Sequence, residues 1–128
     1  MKNIKKEFDE KEPIFTIGTF AKKLGINQRT LRIYDNENLL KPQRTISNRR
    51  MYSLADYNIA ELTLFLTRNL AMNLSGVKII FSCFEKFNVE SKDYLKTIKE
   101  IADKAKINNV VQKTNILKTS KRGRKKQN

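Results

Sequence analysis

The stretch IGTFAKKLGINQRTLRIYDN, residues 17–36, constrains the fold more than any other part of the chain. Ile17, Phe20, Ala21 and Leu24 recur at spacings of three and four, the single buried stripe of a short helix. Thr16 stands where an N-cap belongs, and Gly25 stands just past the end, where the backbone turns left-handed most cheaply. Asn27 then caps a second helix that begins at Gln28. Two short helices joined by a three-residue turn containing glycine make a helix-turn-helix. At 100° per residue, Gln28, Arg29, Arg32 and Asn36 share one face of the second helix, Leu31 anchors the opposite face and Tyr34 borders it. A face of arginines and amides is either solvated or laid against something negative. On an isolated helix the solvated reading is the stronger, so the residues C-terminal to it have to decide.

Pro42 stops helical continuation and pushes Lys41 toward extended backbone. Residues 44–46 and 50–52 read as short strands around Ser47-Asn48-Arg49, with Asn48 suited to a left-handed corner. This hairpin places Arg44, Arg49 and Arg50 beside the second helix, with Tyr52 at its exit. It forms a wing able to touch the flanking backbone or minor groove, and such contacts position a protein without reading sequence. The alternative for Arg49 and Arg50 is a charged edge that discourages aggregation. With a helix-turn before it and this hairpin after it, the arginine face points to a polyanion. Arginine forks fit guanine edges and phosphate, and Gln or Asn pairs with adenine.

Ser53 and Asp56 resemble a capping box opening a helix to about residue 69, with Ile59, Leu62, Leu66 and Leu70 as its stripe and Phe65 beside it. Asn73 caps a helix over 74–87 whose two apolar stripes meet at Phe84, wider than packing on one neighbour requires. A last helix over 92–107, capped by Ser91, spans roughly 24 Å. Leu95, Ile98, Ala102 and Ala105 give it the spacing of a short coiled-coil seam. Together with Phe84 they are the expected contacts between two copies. Beyond about residue 118 the pattern fades into a basic tail expected to be disordered. The fold class is therefore mainly α: an arm over 1–13, a winged helix-turn-helix domain over 14–87, a short helical dimerisation segment over 88–117 and the tail over 118–128.

The net charge of +14 is unevenly spread. Residues 1–15 balance, 16–82 hold ten basic against four acidic side chains, and the last eleven residues hold six basic groups and no acid. That distribution favours nucleic acid over an acidic membrane surface as the partner. There is no histidine and one cysteine, Cys83. The usual general base and a thiolate cluster are thus missing, and neither an enzyme, a metal site nor a cofactor is expected. No apolar run reaches membrane length and no secretory h-region precedes the domain, so a cytoplasmic, nucleoid-associated protein is expected. In the tail, Arg122-Gly123-Arg124 is similar to an AT-hook core that lays arginines along a narrow minor groove. Without the flanking prolines it reads better as a nonspecific basic arm.

FTIGTFAKKLGINQRTLRIYDNENLLKPQRT followed by RRMYSLADY resembles the N-terminal winged-helix domain of the MerR family of transcription regulators. TLRIYD, LLKPQRT and NLSGVKII are similar to stretches of its HspR, heat-shock repressor, branch. The resemblance spans about residues 14–82. It implies DNA contacts from Thr30, Arg32 and Tyr34 on the second helix and from Arg44, Arg50 and Tyr52 on the wing, with a structural role for Tyr52 as well. It also implies a homodimer bound to promoter double-stranded DNA as a repressor, and it admits the chaperone DnaK as a co-regulator. Two departures bear on base preference: Ile33 where relatives often carry an aromatic or Gln, and Arg29 where HspR-like chains tend to carry Gln. The alternative function is an architectural DNA-binding protein or an excisionase-like recombination directionality factor, which shares the winged fold.

Overall fold

Left-handed residues punctuate this chain. The computed structural model describes residues 9–107, and each helix in that span is followed by a residue of positive φ: Gly25, Asn38, Ala71, Asn88 and Lys106. The elements run β1 (Phe15–Thr16), α1 (Ile17–Leu24), α2 (Gln28–Asn36), β2 (Gln43–Arg44), β3 (Arg50–Tyr52), α3 (Leu54–Leu64), a π-helical turn (Phe65–Asn69), α4 (Leu74–Lys86), a 3-10 turn (Ser91–Asp93) and α5 (Tyr94–Lys104). The chain divides into two compact units at residue 60, inside α3.

In the first unit, the Thr16 hydroxyl accepts from the Thr19 amide at 3.3 Å and opens α1. At its other end Gly25 turns to φ 72°, its amide donating to the Lys22 carbonyl while Ile26 donates to Ala21. That pair of reversed hydrogen bonds is a Schellman closure, and glycine adopts its left-handed corner without a Cβ penalty. Asn27 Oδ1 accepts from the Thr30 amide at 3.2 Å and starts α2. Asn38 repeats the closure at the end of α2, with Leu39 donating to the Tyr34 carbonyl. Leu39 and Leu40 are thereby turned inward and buried.

The hairpin forms with β2 and β3 paired antiparallel, Arg44 opposite Arg50, and Asn48 in the left-handed region at φ 69°. A third strand, β1, lines the other edge of β3, pairing Phe15 with Tyr52, so the sheet order is β1-β3-β2. Phe20 and Tyr52 stack at 4.4 Å between ring centroids, with Phe15 tilted and Tyr57 edge-on against Phe20. Around them Ala21, Leu31, Tyr34, Leu39, Leu40 and Ala60 are buried.

Tyr52 is completely buried, and its hydroxyl has no hydrogen-bond partner among the described residues. Burial pushes the phenol up to about 12, with Arg50 opposing the shift. A phenol raised in the folded state adds stability that is whole below its ordinary value of 10 and is lost as pH rises through about 12. Tyr52→Phe removes an unsatisfied buried group and is expected to raise stability by about 1 kcal/mol. Urea melts at pH 7 and across pH 10–12 check this: the variant should also lack the alkaline loss that the wild type shows.

The Ser53–Asp56 capping box forms reciprocally, Ser53 N–H donating to Asp56 at 2.9 Å and Asp56 N–H to the Ser53 hydroxyl at 3.1 Å. Burial pushes the Asp56 carboxyl up, and the Ser53 hydrogen bonds pull it partly back. The helical run reaches residue 69 as expected, but it widens into a π-helical turn from Phe65. There Leu70 N–H donates to Phe65, and the Thr67 hydroxyl takes the Thr63 carbonyl at 2.9 Å. Side-chain competition for a helical carbonyl bends helices in this way.

The second unit buries Leu62, Leu66, Val77, Phe84, Ile98 and Ala102. Asn73 caps α4 through Gly76 at 2.9 Å, and Tyr94 packs its ring on Phe84 and Phe81. The last helix is shorter than expected. Residues 91–93 form a 3-10 turn, and α5 covers Tyr94–Lys104, about 16 Å. Lys106 at φ 61° ends it by letting Ile107 donate back to the Ala102 carbonyl. Among the described residues no helix is long and apolar enough to cross a membrane, and no group of His, Cys, Asp or Glu is placed to hold a metal ion.

Candidate nucleic-acid interface

Asp35 organises the surface that the sequence singled out. Its side chain lies one residue past Tyr34 on the inner side of α2 and is 5% exposed. Three cations converge on it from the loop and the wing: Lys41 at 2.8 Å, Arg50 at 2.9 Å and Arg44 at 3.2 Å. Lys41 also donates to the Asp35 backbone carbonyl. Burial pushes the carboxyl up, but hydrogen bonds and charge from Lys41 and Arg50 outweigh it and hold Asp35 below its ordinary 3.8. The carboxylate is therefore ionised at neutral pH and ties α2 to both strands of the wing. Neither Asp35 nor Lys41 stood out in the sequence. An acid at the end of an arginine face, with Lys41, Arg44 and Arg50 within the next fifteen residues, was the available signal.

The expected α2 face is displayed. Gln28, Arg29, Arg32 and Asn36 are exposed together with Ile33, and Leu31 is completely buried opposite them. Arg32 donates to Gln28 Oε1 at 3.1 Å one turn away, so the amide orients the guanidinium fork. Arg29 and Arg49 are exposed and make no side-chain ion pair with the described residues.

Several expected contacts have other work in the folded chain. Tyr34 and Tyr52 are buried, at 5% and 0% exposure, so they support the surface from beneath instead of forming part of it. Thr30 gives both its amide and its hydroxyl to the Asn27 cap. Arg44 and Arg50 are held by Asp35, and Arg44 also donates to the Asn48 carbonyl. Arg122 and Arg124 lie outside the described residues. Of the expected contacts between copies, Phe84, Ile98 and Ala102 are buried within one chain, because α4 and α5 consume that stripe to close their own core. Leu95 is half-buried and Ala105 exposed, while among the described residues of this unit Ile79, Phe87, Ile101 and Ile107 are large apolar side chains left at 63%, 70%, 52% and 42% exposure.

The chain matches the model of the MerR HTH family of regulatory proteins over residues 15–82. It is 34% identical over 74 residues to a Streptomyces coelicolor protein named for the heat shock protein HspR, covering 58% of this chain and 49% of that one. The chain thus spans about half the length of that relative. It is 31% identical over 99 residues to the HTH-type transcriptional regulator GlnR of Bacillus cereus, covering 72% and 75% of the two chains. The crystal structure of the HTH-type transcriptional regulator SkgA of Caulobacter crescentus shares the fold, with a TM-score of 0.56 at 24% identity over 72% of this chain and 65% of that one. GlnR and SkgA are named as transcriptional regulators, and the span matched by the family contains the helix-turn-helix, the arginine face and the Asp35-braced hairpin. The chain belongs to the MerR HTH family of DNA-binding transcription regulators.

Proposed function

We propose that the protein is a promoter-binding repressor of the HspR type that acts as a homodimer in the cytoplasm. Its 14–87 region sets α2 in the major groove, and residues 88–117 contribute to joining the two copies. The observation that carries the reading is the Gln28–Arg32 pair, an exposed guanidinium fork preset by an amide on a helix whose other side is fully buried. Gln28, Arg29 and Arg32 face base edges, and Arg49 contacts phosphate. Arg44 and Arg50 set the wing and add positive potential. The tail arginines Arg122 and Arg124 add nonspecific attraction, which steepens salt dependence.

Dimerisation is assigned to the apolar side chains left exposed, Phe87 and Ile101 with Ala105 one turn on, in place of the buried seam. DnaK, which the resemblance admits, is assigned no surface. The resemblance of TLRIYD, LLKPQRT and NLSGVKII to the heat-shock repressor branch, together with similarity to HspR, supports the repressor type, and similarity to GlnR supports transcriptional regulation in general.

Selection from a randomised duplex pool by the full 128-residue chain, then footprinting and light scattering, tests this reading. The expected result is a pseudo-palindrome with half-sites about one or two helical turns apart and a dimer mass. Replacing Phe87 and Ile101 together with aspartate is expected to give monomers that keep their fold. Binding without sequence preference, by a monomer that coats DNA, would favour the architectural alternative and reject this one.

A further inference from the structure

The tip of the wing carries an isoleucine that the hairpin does not use. Ile46 is as exposed as in an extended chain, at 108%. The turn that displays it is closed entirely by its neighbours. Thr45 N–H donates to the Arg49 carbonyl at 2.9 Å, Asn48 N–H to the Thr45 carbonyl at 2.8 Å and Arg49 N–H to the Thr45 hydroxyl at 3.0 Å. The Thr45 and Ser47 hydroxyls pair at 3.1 Å, and Arg44 donates to the Asn48 carbonyl from below. Asn48 supplies the left-handed corner. A small polar residue at position 46 would leave every one of these bonds intact, so turn chemistry does not explain an apolar, β-branched side chain held out in water.

The setting identifies what it meets. The base of the hairpin is pinned through Arg44 and Arg50 to Asp35 of α2, so the tip and the reading helix are fixed to one another. Arg49 lies in the turn with Ile46, and Arg44 and Arg50 stand paired just below it at the base of the hairpin, a setting that suits a polyanion and not an apolar protein groove. A single exposed isoleucine is also no patch for docking a protein. On DNA the apolar surface lies between stacked base pairs. Side chains of this kind are inserted from the minor groove to open a step, and pyrimidine–purine steps yield most easily. Isoleucine suits the task because its branched Cβ leaves little rotamer freedom to lose.

We propose that Ile46 is a wedge that the wing seats in the minor groove flanking each half-site, partly unstacking one base step while Arg49 holds the adjoining phosphate. The inference rests on the DNA-reading role given to α2.

It is tested with the full chain on duplexes carrying the selected site, with 2-aminopurine moved one position at a time through the flanks. Wild type is expected to raise the fluorescence at one flanking step of each half-site. Ile46→Ser should abolish that rise, keep the footprint and the thermal melt, and change affinity within about tenfold, because the cost of unstacking disappears with the contact. Ile46→Leu should keep the rise. Equal fluorescence for wild type and Ile46→Ser, or no rise for wild type on a footprinted duplex, overturns the wedge alone. Absence of any sequence-selective footprint overturns the DNA-reading role itself.

Discussion

Asp35→Ala is expected to lower stability by about 2–3 kcal/mol and to loosen the wing from α2. Removing one partner of a fully buried pair costs about 3–5 kcal/mol because the other charge is stranded without water. Here the stranded groups retain some solvent. The Lys41, Arg44 and Arg50 side chains are 59%, 39% and 21% exposed, so the expected loss is discounted. Urea melts at pH 7 measure it directly.

The same site fixes the acid response. A carboxyl held below 3.8 in the folded chain contributes stability that is complete above 3.8 and is lost as pH falls through its folded value. Wild type should therefore lose stability in that acid window, and Asp35→Asn should be flat across it. Asp56 acts in the opposite sense: its carboxyl is raised, so its contribution is complete below 3.8 and is lost as pH rises through its folded value. An Asp35 variant with unchanged stability at pH 7 would show that the three cations are held by solvent and not by this carboxylate.

The second large effect belongs to Arg32. One good bidentate side chain–base pair is worth about 1–3 kcal/mol of discrimination, so Arg32→Ala is expected to reduce preference for the selected site roughly 10- to 100-fold. Gln28→Ala should lose a smaller part of the same preference, because the fork remains but is no longer oriented by the amide. Arg49→Ala should weaken specific and nonspecific binding alike and lower the salt slope by about one, the behaviour of a phosphate contact. Leu31, fully buried behind Arg32, serves as the contrast. Its truncation is expected to unfold the domain and not to relax its specificity.

Much of this arrangement was legible because local chemistry specifies it. Thr16, Gly25 and Asn27 fix α1, its end and the start of α2 within a few residues, and the Ser53–Asp56 box and Asn73 do the same for α3 and α4. Asn48 announced the wing. What escaped depends on contacts distant in sequence or on conformations that residue type does not advertise. β1 has two residues, no alternation to read, and exists only because β3 offers it an edge. Ala71 and Lys106 sit in the left-handed region without the Gly or Asn that marks it elsewhere, so neither the widened end of α3 nor the early stop of α5 could be read. Periodicity also identified Phe84, Ile98 and Ala102 as apolar without saying which partner covers them, and their own chain does. Tyr34 and Tyr52 illustrate the same limit in the candidate interface. A tyrosine beside an arginine face is compatible with phosphate contact or with core, and only burial separates the two.

The most direct test of the DNA-reading face is a competition titration of the selected duplex against a scrambled duplex at fixed salt, with wild type and Arg32→Ala side by side. Wild type is expected to prefer the selected site strongly. Arg32→Ala should lose most of that preference while its affinity for scrambled DNA stays close to that of wild type. An Arg32→Ala protein that discriminates as well as wild type would contradict the assignment of α2 as the reading helix.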